Sequence, residues 1–314
     1  MTLPAIFLMG PTATGKTDIA VELFNRLPIE LISVDSAMVY RGMDIGTAKP
    51  SKVLLKKVPH RLIDVCEPDE TYSAARFRRD ALQAIDEIHT DQRVPLLVGG
   101  SGLYFRSLES GISDLPDADE EVRQQLESEA NELGWEAMHR RLAGIDPVAA
   151  DRIHPNDPQR IQRALEIYEI SGRNMTDHFK DETSRPLPFE VIKIILNPED
   201  RIMLYERIKT RFLKMLDQGF VEEVRTFYGN DRFCGTLSAM RMVGYRQIWD
   251  YLDGKMDYGQ MVEKGIIATR QLAKRQMTWL RKEENAIFFN CGESELVDKI
   301  QGILGQKEHL LSQM

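Results

Sequence analysis

Short apolar runs alternate with helically spaced apolar positions over the first third of the chain. Ala5-Ile6-Phe7-Leu8-Met9, Ile29 to Val34 and Val94 to Val98 each read as a buried strand. Between them Ile19, Ala20, Leu23, Phe24 and Leu27 fall at helical spacing, and Arg76 to Ile88 predicts a further helix. This alternation predicts an α/β fold, a parallel sheet flanked by helices. Ligands of such sheets sit beyond the carboxyl ends of the strands. The loops after the three strands are therefore expected to converge on one site.

The pattern changes over 112–185. Periodicity there is helical, strands are hard to find, and Pro116, Pro147, Pro155 and Pro158 punctuate the helices. Asp157-Pro158 reads as an N-cap followed by proline at the first helical position. Ile161, Leu165 and Tyr168 then form an apolar stripe. Val191 to Leu196 returns to strand character, and Arg201 to Phe227 and Met261 to Arg281 predict long helices. The expected organisation is a core of 1–111 and 190–314 with a small all-helical insertion domain at 112–189.

Composition narrows the class. With 314 residues and 42% hydrophobic content, the chain can fill one large domain or two ordinary ones. Its three cysteines, Cys66, Cys234 and Cys291, are scattered, which suggests a reducing compartment without a disulfide framework or structural zinc. No apolar run approaches the roughly 20 residues of a membrane span. The first strand starts close to Met1, so no signal peptide is expected. A cytoplasmic protein with no membrane association follows, and a monomer is expected.

The net charge of −8 argues against a polyanionic partner until its distribution is read. Residues 112–136 carry nine acids against one base, Arg123, and so hold the whole excess. Elsewhere the chain is balanced. Arg270, Lys274, Arg275, Arg281 and Lys282 occur in a stretch with no acid. On a helix Arg270, Lys274 and Arg281 fall within about 40° of one another, a positive row about 17 Å long. A local basic surface of this kind can hold a polyanion.

One motif supplies the chemistry. Gly10-Pro11-Thr12-Ala13-Thr14-Gly15-Lys16-Thr17 fits the phosphate-loop pattern in full, between a predicted strand and a predicted helix. Its backbone N–H groups and the helix N-terminus would cradle phosphate oxygens. Lys16 adds charge to the outer phosphates, and the Thr17 hydroxyl is placed to hold Mg²⁺. Asp35, ending the second strand, admits three readings. It could hold Mg²⁺, accept a proton from a nucleophile, or cap the next turn. Arg207 and Arg211 share a helix face, which suits a solvated basic surface as well as it suits one of them reaching departing phosphates. Arg160 and Arg163 stand one turn apart opposite the apolar stripe, which suits phosphate contacts on a nucleic acid as well as it suits a solvated helix end. Met240 to Gln247 mixes bases with Tyr245 beside Gly244, which suits RNA contact or an ordinary loop–helix junction. Trp279 lies on another helix face from the basic row and reads as core.

Taken together the segments resemble the bacterial tRNA dimethylallyltransferases, the tRNA isopentenyl transferase family. The resemblance runs in order through residues 10–17, Asp-Ser-Ala-Met-Val-Tyr (35–40), Asp-Ile-Gly-Thr-Ala-Lys-Pro (44–50) and Pro-His-Arg-Leu-Ile-Asp (59–64). It continues through Gly-Gly-Ser-Gly-Leu-Tyr (99–104), His-Pro-Asn-Asp (154–157), Val-Gly-Tyr-Arg-Gln (243–247) and Lys-Arg-Gln-Met-Thr-Trp-Leu-Arg (274–281). One departure is Ser101, where the family usually has threonine. No zinc-finger tail like that of the eukaryotic relatives is expected.

The resemblance implies transfer of the dimethylallyl group of dimethylallyl diphosphate to N6 of the adenosine 3′ of the anticodon in tRNA. It makes the phosphate loop a holder of diphosphate and Asp35 the acceptor of the amine's proton. Lys16, Thr17 with Mg²⁺, and Arg211 would neutralise the leaving group, and Ser101 joins the catalytic set. Positions implied to touch the tRNA anticodon stem-loop begin with Asp35, Ser36, Ala37, Met38, Ser101 and Arg123, then Gln159, Arg160, Ile161, Gln162 and Arg163. They continue with Arg241, Met242, Val243, Gly244, Tyr245 and Arg246, and end with Lys274, Arg275, Gln276, Met277, Thr278, Trp279, Leu280 and Arg281. Rival readings are an isopentenyl transferase acting on free adenine nucleotides, a phosphate-loop nucleoside or nucleotide kinase, and a non-catalytic RNA-binding module. The basic row speaks against the first.

Overall fold

The structure, a computed structural model, describes residues 4–111, 115–116, 118–180 and 187–306. The acidic run noted at 112–136 therefore lies partly outside them, with Asp114 and Asp117. The chain divides into two compact units, 1–109 with 187–314 and 110–186.

The larger unit opens with β1 (Ala5–Met9), α1 (Lys16–Arg26), β2 (Ile29–Val34), α2 (Lys52–Lys57), β3 (His60–Arg61), α3 (Ala74–Thr90), β4 (Val94–Gly99) and α4 (Gly102–Ser110). The smaller unit holds α5 (Glu120–Leu133), α6 (Trp135–Ile145), α7 (Pro147–Arg152), α8 (Pro158–Ser171) and α9 (Met175–Lys180). The larger unit resumes with β5 (Val191–Asn197), α10 (Arg201–Asp217), α11 (Phe220–Tyr228), α12 (Tyr245–Leu252), α13 (Tyr258–Leu280), β6 (Ala286–Asn290) and α14 (Leu296–Gln306).

The strands form one sheet in the order β3-β2-β4-β1-β5-β6, and every pairing is parallel. Side chains alternate across it. Phe7, Met9, Ile32, Val34 and Leu97 enter one core, beneath α3, α4 and α10 to α13. Ile6, Leu8, Leu31, Leu96 and Ile194 enter the other, beneath α1 and α14. Central strands buried on both faces explain the continuous apolar runs of the sequence.

Register positions the site. Met9 pairs with Gly99 and Val34 pairs with Gly99, so β1, β4 and β2 end level. The chain leaves the sheet at Gly10, Asp35 and Gly100 side by side. Three segments depart from the sequence expectation. The helix expected over Arg201–Phe227 is two helices, broken where Gly219 takes a left-handed φ of 97°. The strand β6 went unread because, at a sheet edge, only Phe289 of its five residues is buried. The helix α4 begins at Gly102, inside what reads as a glycine loop.

In the smaller unit Leu126, Ala130, Met138, Leu142, Ile161 and Leu165 make a separate core. Asp157 caps α8 through the Arg160 N–H, with Pro158 in the first turn, as the sequence predicts. Glu166 is fully buried in α8. Its carboxylate accepts from Arg123 Nε at 2.9 Å, Arg163 Nη1 at 2.7 Å and the Asp119 amide at 2.9 Å. Arg163 Nη2 also donates to the Pro116 carbonyl at 2.6 Å. Both arginines are thus fixed in direction by one buried anion. Glu166→Ala is expected to destabilise this unit by about 2–3 kcal/mol, since it strips the acceptor from two guanidiniums and one amide. Faster amide hydrogen exchange across α5 and α8, with β1 and β4 unaffected, is the measurement that checks it.

Candidate active site

The phosphate loop is built by strain and by its own side chains. Gly15 sits at φ 82° and Ala13 at φ 65°, both left-handed. Glycine suits the first of these because it carries no Cβ penalty. The Thr14 hydroxyl donates to the Pro11 carbonyl at 2.8 Å, and Lys16 Nζ folds back onto the same oxygen at 2.7 Å. No side chain caps the start of α1, so its first-turn N–H groups stay turned toward the loop.

Two cations dominate the electrostatics. Burial, with the Arg211 guanidinium adding repulsion, pulls the Lys16 ammonium down from its ordinary value to about 7. Asp35 and Cys291 oppose that shift. Burial likewise lowers Arg211, against the attraction of Asp35 and Asp18. Arg211 donates no hydrogen bond to any described residue. Its donors are free for a ligand.

The adjacent loops are tied to each other. Asp35 Oδ1 accepts from the amides of Ala37 at 2.8 Å and Met38 at 3.4 Å. The capping role is therefore present, and it leaves Oδ2 unbonded among the described residues. The Ser36 amide donates to Ser101 Oγ at 3.0 Å, and the two hydroxyls stand 3.4 Å apart. Serine at 101 supplies the hydroxyl that links the loop after β4 to the loop after β2.

The start of the phosphate loop, the Asp35 and Ser101 loops and Arg211 line one cavity of about 510 Å³. Thr12, Ala13, Asp35, Ser36, Ala37, Ser101 and Arg211 contribute from the loops and α10, and Arg241 to Tyr245, Arg275, Gln276 and Trp279 from the C-terminal half. Ile208, Phe212, Met215, Phe220 and Tyr104 form an apolar wall. The size is ordinary for a small-molecule site. A polar, cationic end beside an apolar wall suits an amphiphilic ligand with an anionic head.

The other singled-out residues fall in three groups. Lys274, Thr278 and Arg281 are exposed on α13. Arg270, expected in the same row, lies instead over the Tyr205 ring at 5.1 Å. Met277 and Leu280 are buried, as are Tyr245 and Ile161, and of these four Tyr245 lines the cavity. Arg246 is exposed on α12, and Met38 is half-buried beside Ser33. Arg123, Gln159, Arg160, Gln162 and Arg163 belong to the helical unit. Trp279, read from spacing as core, is half-buried and lines the cavity.

Sequence reasoning missed Glu223. Its carboxylate accepts the amides of Asp44 at 2.9 Å, Ile45 at 2.6 Å and Gly46 at 3.1 Å, together with the Tyr245 hydroxyl. Gly46, Thr47 and Tyr245 line the cavity, so this one side chain shapes that wall. A lone acid in a helical pattern carries no signal of such a role.

A phosphate loop at the carboxyl ends of a parallel sheet, opening on a partly apolar cavity, defines a phosphate-loop α/β enzyme. The sequence profile of the IPP transferase family matches residues 38–283. The chain is 59% identical over 281 residues to a tRNA dimethylallyltransferase of Thioalkalivibrio sulfidiphilus, covering 90% of this chain and 88% of that one. It is 60% identical over 282 residues to a tRNA dimethylallyltransferase of Alkalilimnicola ehrlichii, covering 90% and 89%. The crystal structure of the full-length tRNA isopentenylpyrophosphate transferase from Bacillus halodurans superposes with a TM-score of 0.70 at 38% identity, covering 99% of this chain and 97% of that one. The chain belongs to the IPP transferase family, and it is a transferase.

Glu223→Ala is expected to lower stability by about 2–3 kcal/mol, because three backbone donors lose their acceptor at once. A thermal melt reads the loss, and faster exchange of the Asp44, Ile45 and Gly46 amides locates it.

Proposed function

We propose that this chain transfers the dimethylallyl group from dimethylallyl diphosphate to N6 of the adenosine 3′ of the anticodon in tRNA, releasing diphosphate. The observation that carries the reading is the meeting of the phosphate loop, Arg211, Asp35 and an apolar wall in one cavity. The diphosphate would lie on the amides of Ala13 to Thr17, with Lys16 and Arg211 against its oxygens. The five-carbon group would lie along Phe212, Met215 and Phe220. The allylic C–O bond breaks with its electron pair going to diphosphate, and the N6 lone pair forms the new C–N bond. Asp35 Oδ2 takes the N6 proton, which favours the base reading of this residue over the metal reading. Cations fixed where the charge develops lower the barrier without reorganising.

Thr17 fits a Mg²⁺ ion. Its hydroxyl sits in the first turn of α1 with no hydrogen bond to any described residue. A small divalent ion needs few protein ligands where phosphate oxygens supply others. When bound, the ion would add positive charge to the leaving diphosphate.

The tRNA would meet the exposed bases Lys274, Arg275 and Arg281 on α13 and the helical unit with Arg123 and Arg160. The target base must leave its stack to enter the cavity. No helix among the described residues is long and apolar enough to cross a membrane. We place the enzyme in the cytoplasm as a monomer.

The test mixes the protein with Mg²⁺, dimethylallyl diphosphate, ATP and unmodified tRNA. Prenylated tRNA and free diphosphate are expected. ADP with unaltered RNA would instead support a kinase. Asp35→Ala is expected to slow single-turnover transfer by about 10²–10⁴-fold with tRNA affinity nearly unchanged. An equal fall in affinity would make Asp35 a binding residue.

Lys16 gives a pH signature. Below about 7 its ammonium is already charged in the free site; above that, a diphosphate must bring a proton with it. Affinity for dimethylallyl diphosphate is therefore expected to fall as pH rises above 7, by up to about tenfold per unit. Calorimetry in buffers of different ionisation enthalpy measures the uptake. Lys16→Met should abolish the part that the phosphate's own titration does not explain.

A further inference from the structure

Two loops must hold the two reactants of the proposed reaction in line, and they follow neighbouring strands that are far apart in sequence. The phosphate loop follows β1. The turn Gly100-Ser101 follows β4 and is tied by Ser101 to the Asp35 loop. Neither loop is anchored to the other by strand pairing, because both lie past the last paired residues, Met9 and Gly99. A side chain from α13 spans them. Gln276 Oε1 accepts the Thr12 amide at 2.8 Å, and Gln276 Nε2 donates to the Gly100 carbonyl at 3.1 Å. The fit is close: a Cβ on residue 100 would stand 2.5 Å from Nε2 and 3.0 Å from the Gly10 carbonyl. Gln276 is half-buried in the cavity wall, while its neighbours Lys274 and Arg275 are exposed.

We propose that Gln276 is a positioning residue: it sets the distance between the diphosphate cradle and the Ser101–Asp35 edge where the amine is received. This rests on the transfer reaction above and departs from a reading of Gln276 as an RNA contact. Both ends of its amide are in use inside the protein. One side chain must accept at the first loop and donate at the second, which glutamine does at neutral charge and glutamate does not. The Thr12 amide is also withheld from phosphate, so the cradle begins at Ala13. A misalignment of about 1 Å between reacting groups can cost about 10²-fold in rate.

Gln276→Met keeps the length of the side chain and removes both hydrogen bonds. With saturating dimethylallyl diphosphate and unmodified anticodon stem-loop RNA, its single-turnover rate is expected to fall about 10–100-fold. The Kd for the RNA should stay within about twofold of wild type. A raised Kd with an unchanged saturated rate would make Gln276 an RNA contact and overturn the proposal, and so would no change in either. Gln276→Glu separates positioning from folding. Its carboxylate still accepts the Thr12 N–H but turns lone pairs on the Gly100 carbonyl, and protonation restores the donor. The ratio of its rate to the wild-type rate is expected to rise about tenfold as pH falls from about 8 to about 5.5; a flat ratio overturns the proposal. Wild-type enzyme is assayed alongside. If it prenylates no RNA, the transfer reading fails and takes this inference with it. If it is active and both variants match it, only the role of Gln276 fails.

Discussion

The level pairing of Met9, Val34 and Gly99 across three neighbouring strands fixes where the chain leaves the sheet. Everything in the cavity follows from that level. Gly10, Asp35 and Gly100 emerge side by side, so loops far apart in sequence become walls of one space. Strands buried on both faces cannot slip register without driving apolar side chains into the wrong layer. The two cores, one of them centred on Phe7 and the other on Leu8, thus hold the reacting groups in place from a distance. Mutations there would act on the site only through the ends of the strands.

Electrostatics then makes the site costly when empty. Arg211 lines the partly apolar cavity and Lys16 lies beneath the phosphate loop, neither in an ion pair among the described residues, and burial lowers the proton affinity of both. An isolated cation is expensive away from water. The loop accepts that cost because Pro11 offers Lys16 one carbonyl, and Asp35 and Asp18 give Arg211 a distant attraction. A diphosphate would supply the missing countercharge, and the same low dielectric that penalises the empty site would then strengthen the contact.

Most of this architecture is legible in the residues. The phosphate loop, three central strands and the Asp157 cap each have a local cause: φ restrictions, burial on both faces, or a side chain matched to an orphan N–H. The parts that were not legible are set by long-range contact. The edge strand β6 buries one residue in five, so its pattern is that of a loop. The break at Gly219 looks like one glycine in a long amphipathic stretch, and helices tolerate that at a cost of about 1 kcal/mol. Glu223 and Gln276 act through amides 178 and 264 residues away, and no spacing rule relates such positions. Glu166, off the stripe of Ile161, Leu165 and Tyr168, holds both Arg123 and Arg163, and its pairing with Arg123 is long-range, with no spacing rule to relate the two.

The apolar wall bears on a problem that the charged groups leave open. An allylic group losing diphosphate develops positive charge on carbon, and water would capture it as readily as an amine does. In the proposed reaction Phe212, Met215, Phe220 and Trp279 would give that carbon a lining with no hydroxyl or carboxylate. Aromatic faces also tolerate positive charge through their quadrupoles. The side-chain oxygens on the lining belong to Thr12, Asp35, Ser36, Thr47, Ser101, Tyr104, Tyr245, Thr269 and Gln276, and most are engaged: Ser36 with Ser101, Thr47, Tyr104 and Thr269 on backbone carbonyls, Tyr245 on Glu223, and Gln276 on the Thr12 amide. Selectivity for nitrogen over water would then rest on what this apolar stretch of the wall omits. The transfer can proceed where the anionic leaving group is stabilised at one end and no competing nucleophile is held at the other.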